Sequence, residues 1–145
     1  MNLRRPSIIG ALLTLCAGSA AADAPPGRFS VTANVYDTKT KLTWQHPLDA
    51  NSLPLADAAS YCAGLPGGAW RLPSVKELQT IVDDSRVNPA IDPAVFPDTP
   101  AAVFWASDPV VGSDPPRAWW VNFNYGNSGN NAVTTPARFR CVRSQ

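Results

Sequence analysis

The stretch Trp70-Arg71-Leu72-Pro73-Ser74-Val75-Lys76-Glu77-Leu78 decides the fold of this chain, because it predicts where a helix begins. Ser74 suits the N-cap, since its hydroxyl can accept a hydrogen bond from a free backbone N–H of the first turn. Glu77 follows three residues later and can reach back to the Ser74 N–H, which completes a capping box. Apolar residues then recur at helical spacing, at Val75, Leu78, Ile81 and Val82. The sequence therefore predicts a helix that begins after Ser74 and ends near residues 83–84.

Upstream of this helix, the chain predicts a hairpin and a first helix. Residues 29–36 and 42–45 are typical of strands, and the polar residues between them indicate a turn. Apolar residues with helical spacing run from Leu55 to Leu65, with Pro54 near the first helical position.

Downstream, we expect three short strands, at residues 103–106, 118–124 and 138–143, with a Gly/Asn loop at residues 125–131. Two helices followed by short strands indicate one loop-rich α+β domain.

The N-terminus has the features of a secretory signal peptide. Arg4 and Arg5 form a basic region, residues 8–17 form a short apolar run, and Ala22 ends a run of small residues. We predict a signal peptide at residues 1–22, an N-terminal lead-in at 23–34 and a domain at 35–143. A lipoprotein would instead use Cys16, although a leucine precedes it where a small residue is preferred. No other segment is apolar over the ~20 residues that a membrane helix needs. We therefore expect no membrane span and a periplasmic or secreted protein.

After cleavage the chain would be nearly neutral and would keep two cysteines. Ten basic and 11 acidic residues would remain, which is a poor composition for neutralising phosphates, so we expect no nucleic-acid partner. Cys62 and Cys141 are an even count in an exported chain, which predicts one disulfide. Closing that loop of about 80 residues could contribute ~4 kcal/mol. The alternative is two free thiols.

The sequence offers few residues for catalysis or for a transition metal. His46 is the only histidine, so any Ser-His-Asp or Cys-His arrangement would have to use it. Zinc lacks enough His and Cys ligands. We therefore expect no enzyme activity, no metal site and no cofactor. Calcium takes oxygen ligands at no fixed spacing, and four acidic residues lie in or beside one irregular segment, at Asp83, Asp84, Asp92 and Asp98. We interpret them as solvated loop acids and turn caps, and a calcium site is the alternative.

The predicted strand at residues 118–124 gives the main functional indication. Because side chains alternate along a strand, one face carries aromatic and apolar residues that suit a core: Trp119, Val121 and Phe123. The opposite face carries an indole and two amides: Trp120, Asn122 and Asn124. An aromatic plane flanked by amides suits the apolar face and the hydroxyls of a sugar. The alternative is that Trp120 packs under the Asn-rich loop.

Two arginines could extend this candidate site. Arg138 and Arg140 share a face of the last predicted strand. If that strand lies beside the Trp120 strand, their guanidinium groups could pair with sulfate or carboxylate. The predicted ligand-binding residues are thus Trp120, Asn122, Asn124, Arg138 and Arg140. The alternative is that the arginines form a solvated face.

Ten short segments, in one order along the chain, carry a resemblance to a known family. They are Asp37 with Leu42-Thr43-Trp44-Gln45, Ala58 with Tyr61-Cys62, Trp70-Arg71-Leu72-Pro73, Lys76-Glu77-Leu78, Val82-Asp83, Pro89-Ala90-Ile91-Asp92, Phe96-Pro97, Trp105, Trp119 with Asn122-Phe123, and Arg140-Cys141-Val142-Arg143. Together they resemble the Lcl C-terminal domain family, named for the sugar-binding end of a bacterial collagen-like adhesin. Lys41 departs from the pattern, since the family often has Gly there.

The resemblance implies an Lcl C-terminal-like domain at residues 35–143 with a C-type-lectin-like fold, related to that of formylglycine-generating enzymes. It also implies that the disulfide joins the first helix to the last strand. Formylglycine-generating chemistry needs reactive cysteines, and here both are assigned to the disulfide.

These features predict an exported, non-catalytic binding module at the cell envelope or surface. The predicted ligand is a glycan, with anionic glycans included. The alternative is a protein–protein interaction module or an accessory subunit of a periplasmic or surface assembly, with an envelope protein as its partner. The fold alone does not decide between these functions.

Overall fold

The computed structural model describes residues 27–145, so the predicted signal peptide lies outside the described residues. In chain order, this range contains β1 (Phe29–Val31), β2 (Val35–Asp37), β3 (Leu42–Trp44), α1 (Leu55–Ala63), α2 (Val75–Gln79), β4 (Val103–Pro109), β5 (Arg117–Asn122), β6 (Asn127–Ala132) and β7 (Val142–Ser144). The α+β prediction is confirmed. Within residues 27–145, no helix has the length and apolar character needed to cross a membrane.

The strands form two antiparallel sheets. The first has the order β1-β2-β3-β7, so it joins strands from both ends of the described chain. The second has the order β4-β5-β6. In its register, Trp120 on β5 lies between Trp105 on β4 and Gly129 on β6. The segment before β7 runs beside β4, where Arg138 bridges Phe104 in parallel.

The helix that begins after Ser74 has the predicted start. The Glu77 N–H donates to the Ser74 hydroxyl over 3.1 Å, and the Ser74 N–H donates to the Glu77 carboxylate over 2.7 Å. Arg71 adds two hydrogen bonds to the same carboxylate, at 2.8 and 2.7 Å, and these bonds hold the pKa of Glu77 below its ordinary value. The capping box is therefore confirmed. The helix ends at Gln79, earlier than predicted, because the N–H groups of residues 80–82 donate three residues back instead of four. The Asp83 N–H then donates to the Ala90 carbonyl.

The predicted disulfide is also confirmed. Cys62 in α1 and Cys141, the residue before β7, are bonded, with Cα atoms 5.4 Å apart and both residues fully buried. Pro54 is the N-cap of α1, as its spacing predicted. The bond therefore ties the first helix to the end of the chain, across a sequence separation of 79 residues.

Three strand predictions need correction. The predicted strand at 29–36 is two strands, β1 and β2, which pair with each other across a turn. The predicted Gly/Asn loop at 125–131 is largely β6, because six consecutive residues pair with β5 and only residues 123–126 form the turn. The predicted strand at 138–143 is shorter, since β7 begins at Val142. The residues before it run beside β4 instead.

Two apolar clusters cover opposite faces of the β4-β5-β6 sheet. Phe104 and Val121 point into the cluster that also contains Leu78 of α2 and residues of the first sheet. Trp105 and Ala118 point into a second cluster that contains Cys62 of α1 and the segment before β7. All four sheet residues are fully buried. Both faces of the sheet are therefore occupied near β4, and partly exposed positions begin toward β6.

Candidate functional site

The candidate site lies where the second cluster ends, at the β6 margin of the three-stranded sheet. Residues paired directly across antiparallel strands share a face. The register places Asn127 opposite Asn122, Gly129 opposite Trp120, and Asn131 opposite Ala118. We call the resulting surface the Trp120 shelf, formed by Trp120, Asn122, Asn127, Gly129 and Asn131.

The Trp120 ring lies over the β6 backbone at Gly129. A Cβ built on Gly129 would be 2.4 Å from Cζ2, 2.5 Å from Cη2 and 3.0 Å from Cε2 of Trp120. A point in the ring plane beyond the Cζ2–Cη2 bond would be much farther from Cε2, so these three distances place the Cβ above that edge of the ring. Glycine thus allows β6 to approach one ring face at this edge, while the side chain as a whole stays partly exposed. The indole Nε1–H is enclosed and has no acceptor among residues 27–145, so the ring offers its surface and not its N–H.

Amide side chains surround the ring on this face. Asn122 is partly exposed, and its Oδ1 accepts the Asn124 N–H over 2.9 Å. Asn127 is exposed, and Asn131 is partly exposed. An amide offers both donors and acceptors, which matches the dual character of a hydroxyl. The surface therefore combines an aromatic plane with three amides.

Asn124 does not share the strand position that alternation predicted. β5 ends at Asn122, and Asn124 lies in the turn that follows. Both backbone groups of Asn124 form hydrogen bonds. Its N–H donates to the Asn122 side chain, and its carbonyl accepts the Asn88 N–H over 2.8 Å. Asn127 and Asn131 supply amides that sequence reasoning missed. A sequence prediction that placed a four-residue turn at 123–126 would have identified these two asparagines. With that turn, the antiparallel register places both of them on the same face as Trp120.

The two predicted arginines lie on the other face of the sheet. Arg138 bridges Phe104, which pairs with Val121, so Arg138 faces away from Trp120. β4 also separates the Arg138 segment from β5. The condition for a joint anion site, that the last strand lies beside the Trp120 strand, is therefore not met. Arg138 instead donates to the carbonyl groups of Asp49, at 3.1 Å, and Ala50.

Arg140 is a buried structural residue, with 1% of its surface exposed. Its guanidinium donates to the Gln45 carbonyl at 2.6 Å, to Asp98 at 2.9 Å and to the Thr99 hydroxyl at 2.8 Å. It also lies 5.0 Å from the centroid of the Phe96 ring. Burial lowers the pKa of Arg140, against the effect of its pairing with Asp98. Burial alone would raise the pKa of Asp98, but hydrogen bonds from Arg140 and the Leu48 N–H hold it below its ordinary value. These contacts join distant loops.

The carboxylates of Asp83 and Asp98 bind separate partners within the fold. Asp83 accepts hydrogen bonds from Ser85 and from Arg86, whereas Asp98 pairs with Arg140. Between residues 27 and 145, no three His, Cys, Asp or Glu side chains lie together in a group that could hold a metal ion. The acidic residues thus act as turn acceptors and ion-pair partners in this fold.

Two surface grooves are lined in part by Trp70. One has a volume of about 290 Å³ and apolar walls from α1 and the 70–72 segment. The other has a volume of about 220 Å³ and is lined by polar residues that include Asn34, Gln45 and His46. The His46 Nδ1 lies 3.6 Å from the Asp98 carboxylate. Neither groove includes a residue of the shelf.

These features define a class of small α+β modules, held by one disulfide, with a polar aromatic surface at a sheet margin. Residues 33–143 match the family model of the Lcl C-terminal domain. The chain therefore belongs to the Lcl C-terminal domain family, as the ordered segments predicted, and membership points to an adhesin-associated module. No curated protein matches the chain.

Proposed function

We propose that this protein is an exported, non-catalytic module that binds a glycan at the cell envelope or surface through the Trp120 shelf. The observation that carries the proposal is the Trp120 ring lying over Gly129 with amides on the same face. Sugar rings present C–H groups that pack against aromatic surfaces, and their hydroxyls match amide donors and acceptors. Family membership supports a role in adhesion.

The proposal also states that the protein is exported, has no catalytic activity and has a particular fold type. A signal peptide at residues 1–22 would direct the chain to the periplasm or the medium, and a buried disulfide suits such an oxidising compartment. Because both cysteines of the predicted mature chain are bonded to each other, neither is a free thiol for formylglycine-type chemistry. We further propose a C-type-lectin-like fold that needs no cofactor.

A glycan array probed with the mature protein tests the proposal. Trp120→Ala should reduce binding at least about tenfold, a loss of ~1.4 kcal/mol. Because Trp120 also contacts the second cluster, Asn127→Ala provides a second variant that changes only an exposed side chain. Tyr125→Ala is the matched control, since Tyr125 is an exposed aromatic (68%) in the turn outside the shelf. Folded Trp120 and Asn127 variants that bind like the wild type would refute the proposal.

The alternative, a protein–protein module, is favoured by one observation. β6 is an edge strand of its sheet, and residues Asn127–Ala132 contain no charge and no proline. Exposed edges usually carry such protective residues, because open N–H and C=O groups can pair with a strand of another chain. A photo-crosslinker at Asn127, which is exposed, should then capture one discrete protein in intact cell envelopes, and adding Ser128→Pro should abolish that capture. Glycan binding by the shelf without such a product would argue against this alternative.

A further inference from the structure

We propose that the ligand of the Trp120 shelf is an uncharged saccharide, and that sulfated or carboxylated glycans are disfavoured there. This inference rests on the proposed function and deepens it by naming the ligand class. It differs from the expectation that arginines would add affinity for acidic sugars, because the structure places those arginines elsewhere.

The face that carries the shelf contains no ionisable side chain among its paired strand residues. From β4 to β6 these residues are Val103, Trp105, Pro109, Ala118, Trp120, Asn122, Asn127, Gly129 and Asn131. A sulfate or carboxylate bound here would lose hydration without gaining a cation. Transferring an unpaired anion out of water is strongly unfavourable.

The arginines on or beside the strands of this sheet are directed away from this face and are already bonded. Arg117 alternates with Ala118, so it lies on the opposite face, where its guanidinium donates to the Asn130 side chain at 2.6 Å and to the Asn130 carbonyl at 2.8 Å. Arg138 lies on that same opposite face, and the Arg140 guanidinium lies against Phe96 of the first cluster. Using any of them for an anion at the shelf would require breaking these bonds and moving the side chain across the sheet.

Helix α1, which begins near the end of β6, adds no basic side chain in its first turn. The Leu55 N–H at the start of α1 donates to the carbonyl of Val133, which directly follows β6. The first turn of α1 contains Asp57, which is exposed, and no basic residue. This turn therefore supplies no cationic side chain for a sulfate or a carboxylate.

The groups that remain suit hydroxyls and acetamido groups. The Asn122, Asn127 and Asn131 amides can each donate and accept, and the indole offers an apolar surface to ring C–H groups. Contacts of this kind involve no ion pair, so their strength should depend little on ionic strength.

The experiment compares neutral gluco-, galacto- and N-acetylglucosamine oligosaccharides with O-sulfated forms of the same oligosaccharides on one array. We expect the mature protein to prefer the neutral members, with less than about a twofold change between roughly 50 and 500 mM NaCl. Trp120→Ala should remove this binding. Asn127→Lys should raise the signal from sulfated members, because it places a cation on the shelf.

Two results would overturn the inference, and they are distinguishable. Trp120-dependent binding confined to sulfated members, and falling steeply with salt, would refute the neutral ligand while keeping the proposed glycan site. Absence of binding to every oligosaccharide, or binding that Trp120→Ala and Asn127→Ala leave unchanged, would refute the proposed function itself.

Discussion

Substituting Gly129 by alanine tests the stacked arrangement of the Trp120 shelf. The added Cβ would lie 2.4 Å from Cζ2 of Trp120, whereas carbon atoms pack at about 3.5–4.0 Å. The indole or the β6 backbone would therefore have to move by roughly 1 Å. Overpacking costs about 1–3 kcal/mol. The φ angle of Gly129 is outside the left-handed region, so alanine fits this backbone. Alanine also lowers the conformational entropy of the unfolded chain, which stabilises the fold by about 0.4–1 kcal/mol. We expect the free energy of unfolding to fall by about 1–2 kcal/mol.

Urea denaturation of a double-mutant cycle measures this effect. In a Trp120→Ala background the clash is absent, so Gly129→Ala should be neutral or stabilising by about 0.5 kcal/mol. The sign of the effect should thus reverse between the two backgrounds. Ser128→Ala is the control, because Ser128 is the exposed neighbour on the other face and should change stability by less than about 0.5 kcal/mol. Equal destabilisation by Gly129→Ala in both backgrounds would refute the stacking argument.

Three further predictions concern stability. Ser74→Ala removes the N-cap acceptor and should cost ~1 kcal/mol in urea denaturation without changing ligand affinity; an unchanged midpoint would show that the helix does not depend on this cap. Cys141→Ser should cost about 2–5 kcal/mol, and adding Cys62→Ser should cost little more, whereas additive losses would contradict a shared bond. Burial raises the pKa of Asp98, but hydrogen bonds, first among them those from Arg140, bring it below the ordinary 3.8. Its stabilising contribution is therefore present above that value and lost as the pH falls further. Unfolding measured from about pH 5 to pH 2 should show a flatter pH dependence for Asp98→Asn, and parallel curves would exclude this contribution.

Local signals explain what the sequence could predict. The Ser74 capping box depends on residues three apart, so the start of α2 was predictable without knowledge of the fold. The Cys62–Cys141 bond followed from an even cysteine count in a chain predicted to be exported. Alternation along β5 also assigned Val121 correctly to the core.

Nonlocal contacts explain what the sequence could not predict. The Asn-Ser-Gly composition of β6 is typical of a loop, and these residues form a strand because β5 offers an edge to pair with. Arg140 alternates as a surface residue would, yet its partner Asp98 comes from a loop 42 residues away. No local pattern reveals such a buried ion pair. The proposed ligand site therefore includes Asn127 and Asn131 and excludes the two arginines.

The way the chain enters and leaves the first sheet determines how the module would respond to tension. Phe29 and Ser144 lie in one row across the four strands, so both chain ends emerge at the same end of that sheet. A pull that separates them would open the strand pairs one after another. From the C-terminal side, peeling stops at Cys141, where the disulfide transfers the load to Cys62 in α1. The chain between the two cysteines spans a separation of 79 residues, about 280 Å when extended, and the disulfide prevents the pull from extending it. If a cell were held through this module, the module would lengthen only slightly before the Cys62–Cys141 bond carried the force.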